Sequence, residues 1–269
     1  MITYIIDLRD AAKPSHTTPV MKGGMVRPLY SANPRQREQR RAARIAGGVK
    51  RIVLHQWMAD AMPDRKGIAD LDTAQERDEE EARRVAYRAA GLDRDGNRRA
   101  IGGTPYHVSV GLTSQGSGVV ALVWPWQEHT FHAEAANAES VGVGLMGRYG
   151  REHYEVQPRP EGLARALRWA LVIAGEFVRG SWNDSTARAV RAGRSGLDAW
   201  WPYASAVPLR THSQTQRKPA DPGLWAIVNG VAPLVQMGAI EVEPDFCEGK
   251  GQPWPESWRQ ALPPMEVVG

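Results

Sequence analysis

The chain has 269 residues, of which 42% are hydrophobic and 24% are charged. These ordinary values argue against a disordered or fibrous chain, and the length fits one large domain or one domain with extensions. The single cysteine, Cys247, excludes an intramolecular disulfide framework. No apolar run reaches the roughly 18 residues that a membrane span requires. The start, MITYIIDLRD, lacks the basic region of a signal peptide, so we expect synthesis in the cytoplasm.

The net charge of +4 is distributed unevenly along the chain. The segment 35–51 contains seven basic residues and one acidic residue, so it alone carries a charge of +6. Such a stretch can attract the chain to a polyanion, such as nucleic acid, anionic lipid or an acidic cell wall. It can equally be the solvated face of a helix, and composition leaves both interpretations open.

Predicted strands and helices alternate through the first half of the chain. Helices are predicted at 35–46 and at 73–90, the second opening with the spacing of a capping box. The proline-rich stretch 11–34 is predicted to be a loop. The glycines of SVGVGLMG (140–147) indicate that another group approaches the backbone there. Strands are predicted from β-branched and apolar runs at 2–8, 51–57, 106–112, 118–124 and 140–147.

The second half continues the alternation. A helix is predicted at 161–178, where apolar residues recur every three or four positions. An apolar strand at 206–212 precedes an Asp-Pro-Gly turn and a further helix from about 224. The proline-rich tail after about 240 is predicted to be coil. Strands interleaved with helices predict an α/β or α+β fold with a single sheet.

Two histidines close predicted strands: His55 ends RIVLH, and His212 ends AVPLRTH. A side chain at a strand end projects into the crevice at the sheet edge, where ligands commonly bind. Asp221 lies nine positions after His212, in a turn whose proline and glycine can direct the carboxylate back toward the strand end. Two imidazoles and one carboxylate form a known ligand set for a catalytic zinc. The spacing alone leaves open a second interpretation, in which these are hydrogen-bonded structural residues.

Four segments extend this pattern along the chain. In order they are RIVLH (51–55), PYHVSV (105–110), FHAEAANAESVGVGLMG (131–147) and RTH...DPG (210–223). Together they resemble the zinc-dependent N-acetylmuramoyl-L-alanine amidases of type 2, a group that includes phage lysozyme-type amidases and peptidoglycan recognition proteins. The resemblance covers roughly residues 50–228, about two thirds of the chain. It implies an α/β fold with a single central mixed β-sheet flanked by helices.

The resemblance also implies roles for individual residues. His55, His212 and Asp221 correspond to the ligands of one Zn²⁺ ion. Tyr106 corresponds to a tyrosine that, in several members, assists the attacking water or the oxyanion. Many active members also carry a lysine two residues before the aspartate of the turn. This chain has proline there, and Lys218, one residue earlier, is the candidate for that role.

Three further residues are expected at the substrate groove. His132 and Asn137 match the family's groove-lining histidine and asparagine, and Trp57 could present a flat face to a sugar ring or a stem peptide. His107 is expected on the opposite face of its strand from Tyr106 and is not expected to be a ligand. The family often has a glutamate where this chain has Gly144, and we interpret that glutamate as structural.

The implied function is hydrolysis of the amide bond between N-acetylmuramic acid and L-alanine in peptidoglycan by a zinc-activated water. We expect an N-terminal extension with the basic segment (1–48), a zinc amidase domain (49–240) and a C-terminal tail (241–269). The absence of a signal peptide predicts a phage or prophage lysin that reaches the cell wall through a holin or a secretion machine. The basic segment 35–51 would contact an anionic polymer of the wall.

Two alternatives remain open from the sequence. The first is a peptidoglycan-binding module of the same fold that does not cleave its ligand, which the displaced lysine favours. The second is a role for the basic segment in binding nucleic acid or a protein, with the amidase fold as a scaffold. Release of stem peptides would favour the amidase, whereas salt-dependent DNA binding would favour the last interpretation.

Overall fold

The computed structural model describes residues 2–11, 33–57, 66–97, 103–147, 161–180, 206–216, 218 and 221–263. Within them, one sheet contains the strands β1 (Thr3–Asp7), β2 (Arg51–Trp57), β3 (Val108–Leu112), β4 (Gly118–Leu122), β5 (Ser140–Met146), β6 (Val207–Thr211) and β7 (Ile240–Val242). The strand order is β1-β4-β3-β5-β2-β6-β7, and only the neighbours β3 and β4 are antiparallel. The predicted α/β fold with a single mixed sheet flanked by helices is confirmed.

The helices begin and end at local sequence signals. The second helix opens with the predicted capping box of Thr73 and Glu76 and ends at Gly91, whose φ of 76° is left-handed. The stretch from 224 is helical as predicted, with one π-helical turn (Ile227–Val231) inside it. The α-helices are α1 (Pro34–Gly47), α2 (Ala74–Ala90), α3 (Glu161–Arg179), α4 (His212–Thr215), α5 (Leu224–Ala226), α6 (Ala232–Gln236) and α7 (Glu256–Arg259).

Helices α2 and α3 cover opposite faces of the sheet. Along β4, Val120 and Leu122 pack into the core under α3, whereas Val119 and Ala121 pack into the core under α2. Alternate residues of a strand point to opposite faces, so this strand contributes to two cores. A sheet covered on both faces leaves its strand ends as the exposed crevice in which polar side chains can meet a ligand.

The sheet contains strands from both the N-terminal and the C-terminal parts of the chain. Strand β1 pairs with β4, so part of the N-terminal extension lies in the same sheet as the central strands. The prediction of coil after 240 is wrong for two stretches, because β7 extends the sheet beside β6 and α7 follows later. Trp254 and Trp258 are buried in the core under α3. Burial of these two rings holds the described part of the proline-rich tail against the core.

Two other observations bear on the sequence predictions. Most of the predicted loop at 11–34 lies outside the described residues. Among the helices that the structure does describe, none has the length and apolar character needed to cross a membrane.

Candidate metal centre

The register of two parallel strands brings the two predicted histidines together. Leu54 of β2 lies beside Thr211 of β6, so the next residue of each chain segment, His55 and His212, meets at the same edge. Their ring centroids are 4.3 Å apart, and both side chains are buried. The two imidazoles therefore lie near the carboxyl ends of neighbouring parallel strands, although β2 continues for two residues beyond His55, where the sequence pattern predicted its end.

The Asp-Pro-Gly turn directs Asp221 back to this edge. Its Oδ2 lies 2.7 Å from Nδ1 of His212, and its Oδ1 accepts a 2.6 Å hydrogen bond from the backbone N–H of Gln56. The carboxylate thus contacts both strands that carry the histidines. His55, His212 and Asp221 each offer a ligand atom within 4.8 Å of the others, and all three residues are buried.

The hydrogen-bond pattern leaves imidazole nitrogens available in this cluster. Among the described residues, neither Nδ1 of His55 nor Nε2 of His212 has a hydrogen-bond partner, although both atoms are buried. Burial, followed by the neighbouring histidines, holds the pKa of His55 well below its usual value, so its ring is neutral near pH 7. Buried imidazole nitrogens without partners among the described residues, next to a carboxylate, fit a zinc ion.

The ring of His55 contacts a third histidine, His132, in addition to His212. Its Nδ1 lies 3.1 Å from Nε2 of His55, and its Nε2 lies 3.4 Å from Oγ of Ser140, which donates to the carbonyl of Ala136. One set of tautomers is consistent with this chain: Nε2–H of His132 points to Ser140, and Nε2–H of His55 donates to His132. Nδ1 of His55 then keeps its lone pair, the form that a metal ligand needs.

Two glycines of β5 make room for the rings around the cluster. A Cβ at Gly144 would lie 2.0 Å from the Tyr106 ring, and a Cβ at Gly142 would lie 2.9 Å from the His132 ring. The prediction that another group approaches this backbone is confirmed, and the approaching groups are these two rings. A glutamate in place of Gly144 would collide with Tyr106, which explains in steric terms why glycine occupies that position here.

Tyr106 lies against the metal candidates with its hydroxyl protonated. Its ring stacks on His55 at a centroid distance of 4.7 Å. Burial, followed by the charge of Asp221, raises the pKa of Tyr106 above its ordinary value. A phenol with a raised pKa keeps its proton near pH 7 and can donate a hydrogen bond.

Arg44 holds the loop that presents His132, a role for which no local sequence signal is present. It is buried on α1, and its guanidinium donates to the backbone carbonyls of Trp126, Asn137 (2.7 Å) and Ser140 (2.5 Å). Asn137 in turn accepts from the backbone N–H groups of His132 (2.8 Å) and Ala133 (2.5 Å). The predicted groove residue Asn137 therefore supports the backbone of His132, and its contact with substrate stays a prediction.

Residues of the C-terminal segment contact the part of the cluster that contains His212. The side-chain amide of Gln214 in α4 donates to the carbonyls of Glu243 (2.8 Å) and Phe246 (3.0 Å). The indole N–H of Trp254 donates to Oγ1 of Thr211 at 3.0 Å, directly before His212. Three contacts from the C-terminal segment therefore fix the residues on either side of His212. The sequence offered no pairing signal for them.

The structure places three other predicted residues outside the cluster. Lys218 is exposed, and its backbone lies in the turn between Gln216 and Asp221. Trp57 is half-buried against the core under α2. His107 is buried and accepts from the N–H of Gly142 through Nδ1, while its Nε2 lies 3.0 Å from the carbonyl of Glu128. His107 is therefore a structural residue, while roles for Lys218 and Trp57 stay predictions.

Comparison with known proteins finds only weak structural similarity. No protein family and no curated protein matches the chain. The chain is similar to Drosophila PGRP-LB (13% identity, 89% of this chain and 96% of that chain, TM-score 0.40). It is also similar to bumblebee PGRP-SA (13%, 90% and 98%, TM-score 0.40) and to PGRP-Hd from Alvinella pompejana (16%, 88% and 97%, TM-score 0.36). With such TM-scores, no function carries over from these proteins to this chain.

Proposed function

We propose that the chain is a zinc-dependent N-acetylmuramoyl-L-alanine amidase, which hydrolyses the amide bond between N-acetylmuramic acid and L-alanine in peptidoglycan. The observation that carries the proposal is the buried cluster of His55, His212 and Asp221, in which two imidazole nitrogens lack hydrogen-bond partners among the described residues. The motif order that resembles type 2 amidases supplies the bond and the substrate. We further propose that the protein acts as a phage or prophage lysin.

The three residues of the cluster would hold one zinc ion. Two neutral imidazoles and one carboxylate suit zinc and leave a coordination position open. When bound, zinc supplies a water of lowered pKa and polarises the scissile carbonyl. The hydrogen bond from Gln56 N–H fixes the carboxylate of Asp221, and His132 fixes the ring of His55. These contacts orient the ligands before any ion arrives.

Tyr106 would stabilise the charge that develops on the carbonyl oxygen. Its hydroxyl stays protonated because burial raises its pKa, and its ring is held on His55 above the glycine at position 144. A donor that is already oriented pays little reorganisation cost when the negative charge forms. Lys218 would be a second donor only if its turn brings the exposed ammonium to the substrate.

A peptidoglycan-binding module without hydrolysis is the second candidate. The observation that favours it is the exposed Lys218, for which the described residues show no side-chain contact with the cluster. Such a module would bind peptidoglycan beside His132 but would not hydrolyse it. The two candidates differ in whether stem peptide is released.

The experiment is digestion of purified peptidoglycan followed by mass spectrometry of the soluble fragments, with and without a chelator. The proposal predicts free stem peptides that begin at L-alanine, lost with the chelator and restored by added zinc. Co-sedimentation with the wall without release would support the binding module instead. Fragments cut within the glycan or inside the stem peptide would contradict the proposed bond.

A further inference from the structure

A concave site lies outside the proposed metal centre. This cavity of about 240 Å³ lies beside the carboxyl-terminal part of α1 and Ala138, and none of the three candidate ligands lines it. Its lining residues are Arg40, Ala43, Arg44, Gly47, Gly48, Lys50, His129, Ala138 and Glu139. The amidase reaction proposed above does not use this cavity.

The lining of the cavity is positively charged. Arg40, Arg44 and Lys50 face a single carboxylate, Glu139. That carboxylate is already engaged, because one oxygen pairs with Lys50 at 2.9 Å and the other pairs with Arg51. The guanidinium of Arg44 donates to backbone carbonyls, and burial lowers the pKa of Arg44 to about 10. Arg44 also interacts with the nearby carboxylate of Glu128, so the positive charge available to a ligand is that of Arg40.

Two side chains at the cavity, Arg40 and His129, are able to bind a further polar group. Among the described residues, no carboxylate pairs with Arg40, whose guanidinium lies over the Phe131 ring at 5.1 Å from its centroid. Nδ1 of His129 is buried and has no hydrogen-bond partner in the described part of the chain. A buried polar atom without a partner is costly, so a nitrogen of this kind beside a guanidinium that has no carboxylate partner in the described part of the chain favours a bound ligand.

The cavity also has space next to these groups. A Cβ built at Gly47 or Gly48 would meet no atom within 4 Å. A larger side chain at Gly47 can therefore fill the cavity without a collision at its Cβ. Gly48 is less suited to substitution, because its φ of 70° is left-handed.

We propose that this cavity binds an anionic group, a phosphate or a carboxylate, between Arg40 and His129. The rest of the basic segment is largely used within the fold, since Arg37 pairs with Glu128 at 2.7 Å and Arg51 pairs with Glu139. The segment thus offers a defined pocket for one anion, which is a narrower role than a general polyanion surface. This proposal does not depend on the amidase activity.

The test is a titration of the full chain with inorganic phosphate and with acetate at constant ionic strength, followed by NMR of the His129 ring. Saturable movement of this signal is expected with at least one of the two anions. Arg40→Ala removes one charged donor and should weaken binding by about tenfold or more. Gly47→Leu keeps every charge and should abolish binding by filling the cavity.

Arg41→Ala is the matched control, because Arg41 is exposed on the same helix and does not line the cavity. It removes the same charge and should leave the affinity unchanged. Saturation by phosphate alone assigns the site to phosphate groups, and saturation by acetate extends it to carboxylates. The proposal is overturned if neither anion saturates, or if Arg41→Ala weakens binding as much as Arg40→Ala. Because the readout is binding at His129, these outcomes stay separate from those of the peptidoglycan digestion.

Discussion

The histidine cluster has two sides, the pair of His212 and Asp221 and the loop that carries His132. They differ in how far apart in the sequence their contacting residues lie. His212 and Asp221 lie nine positions apart, and a strand end and a tight turn bring them within 2.7 Å. His132 lies in a loop that depends on Arg44, which reaches Asn137 across 93 positions of the chain. The pairing of His212 with Asp221 follows from local sequence, although contacts from the C-terminal segment also hold the residues beside His212, whereas the position of His132 is set by tertiary contacts. Substitutions on the first side should affect chemistry, and those on the second should affect positioning and stability.

The largest effect is expected at the local side, from Asp221→Asn. The amide keeps the shape and can still accept from Gln56 N–H, but it removes the negative charge that a zinc ligand supplies. We expect no detectable release of stem peptides in the digestion assay. Glu38→Gln, at an exposed position on α1, is the control and should retain full activity. Wild-type activity in Asp221→Asn would remove this residue from the metal centre.

Tyr106→Phe should lower kcat while leaving zinc bound. The variant loses the hydroxyl donor but keeps the ring on His55, so the expected loss is about 100-fold or more, or about 3 kcal/mol of barrier. Steady-state kinetics and zinc content of the same preparation measure both quantities. Tyr87→Phe on α2 provides a control for loss of a tyrosine hydroxyl elsewhere. An unchanged kcat would exclude the hydroxyl from the reaction.

His132→Phe tests whether the loop side acts through His55. Without the Nδ1 acceptor, Nε2–H of His55 loses its partner, and the affinity for zinc should fall about 10–100-fold. Competition with a chelator measures the affinity directly. Ser140→Ala removes the 3.4 Å contact with Nε2 of His132 and the hydrogen bond to the Ala136 carbonyl, but it leaves the contact between His132 and His55, so its effect should be smaller. If the zinc affinity of His132→Phe equals that of the wild type, His132 does not orient the ligand.

Arg44→Met should affect stability more than chemistry. It leaves three backbone carbonyls without their donor, and we expect the free energy of unfolding to fall by about 2–3 kcal/mol. Urea denaturation measures this change. Arg41→Met on the exposed face of α1 should stay within about 0.5 kcal/mol of the wild type. Equal stability of the two variants would mean that Arg44 does not hold the loop.

The smallest expected effect is a pH dependence of stability from His107. Burial, with the charge of Arg44, holds the pKa of His107 well below its usual value in the folded state. The unfolded chain therefore binds the proton more readily than the folded chain. The contribution of neutral His107 to the free energy of unfolding is fully present above about pH 6.5 and is lost as the pH falls below it. Thermal unfolding between pH 7 and pH 5 measures the slope. His107→Gln should reduce that slope, and an unchanged slope would assign it to other groups.

The sequence predicted the parts of the molecule that follow local rules. The capping box at Thr73 and the glycine-rich strand β5 both appear where the pattern indicates them. The meeting of His55 with His212 follows from two strands that have a histidine near the carboxyl end, once those strands are neighbours. Local periodicity and turn chemistry suffice for such features.

The contacts that the sequence did not predict all join distant segments. Nothing near Arg44 indicates that its side chain turns inward to three carbonyls, since the adjacent residues Ala43 and Ile45 are themselves exposed. In the tail, prolines obscured the short strand β7, and the burial of Trp254 depends on a partner more than 40 positions earlier. Pairings of this kind depend on the completed sheet and leave no periodic signal in either segment.

The most direct test of the proposed metal centre is X-ray absorption spectroscopy at the zinc edge, on protein loaded with zinc. We expect one zinc per chain, bound by two imidazoles and oxygen ligands at about 2.0 Å, with the signal of one imidazole lost in His212→Ala. A sulfur ligand would instead place the metal at Cys247. Failure of the chain to retain zinc, or retention that His212→Ala leaves unchanged, would contradict a metal centre formed by His55, His212 and Asp221.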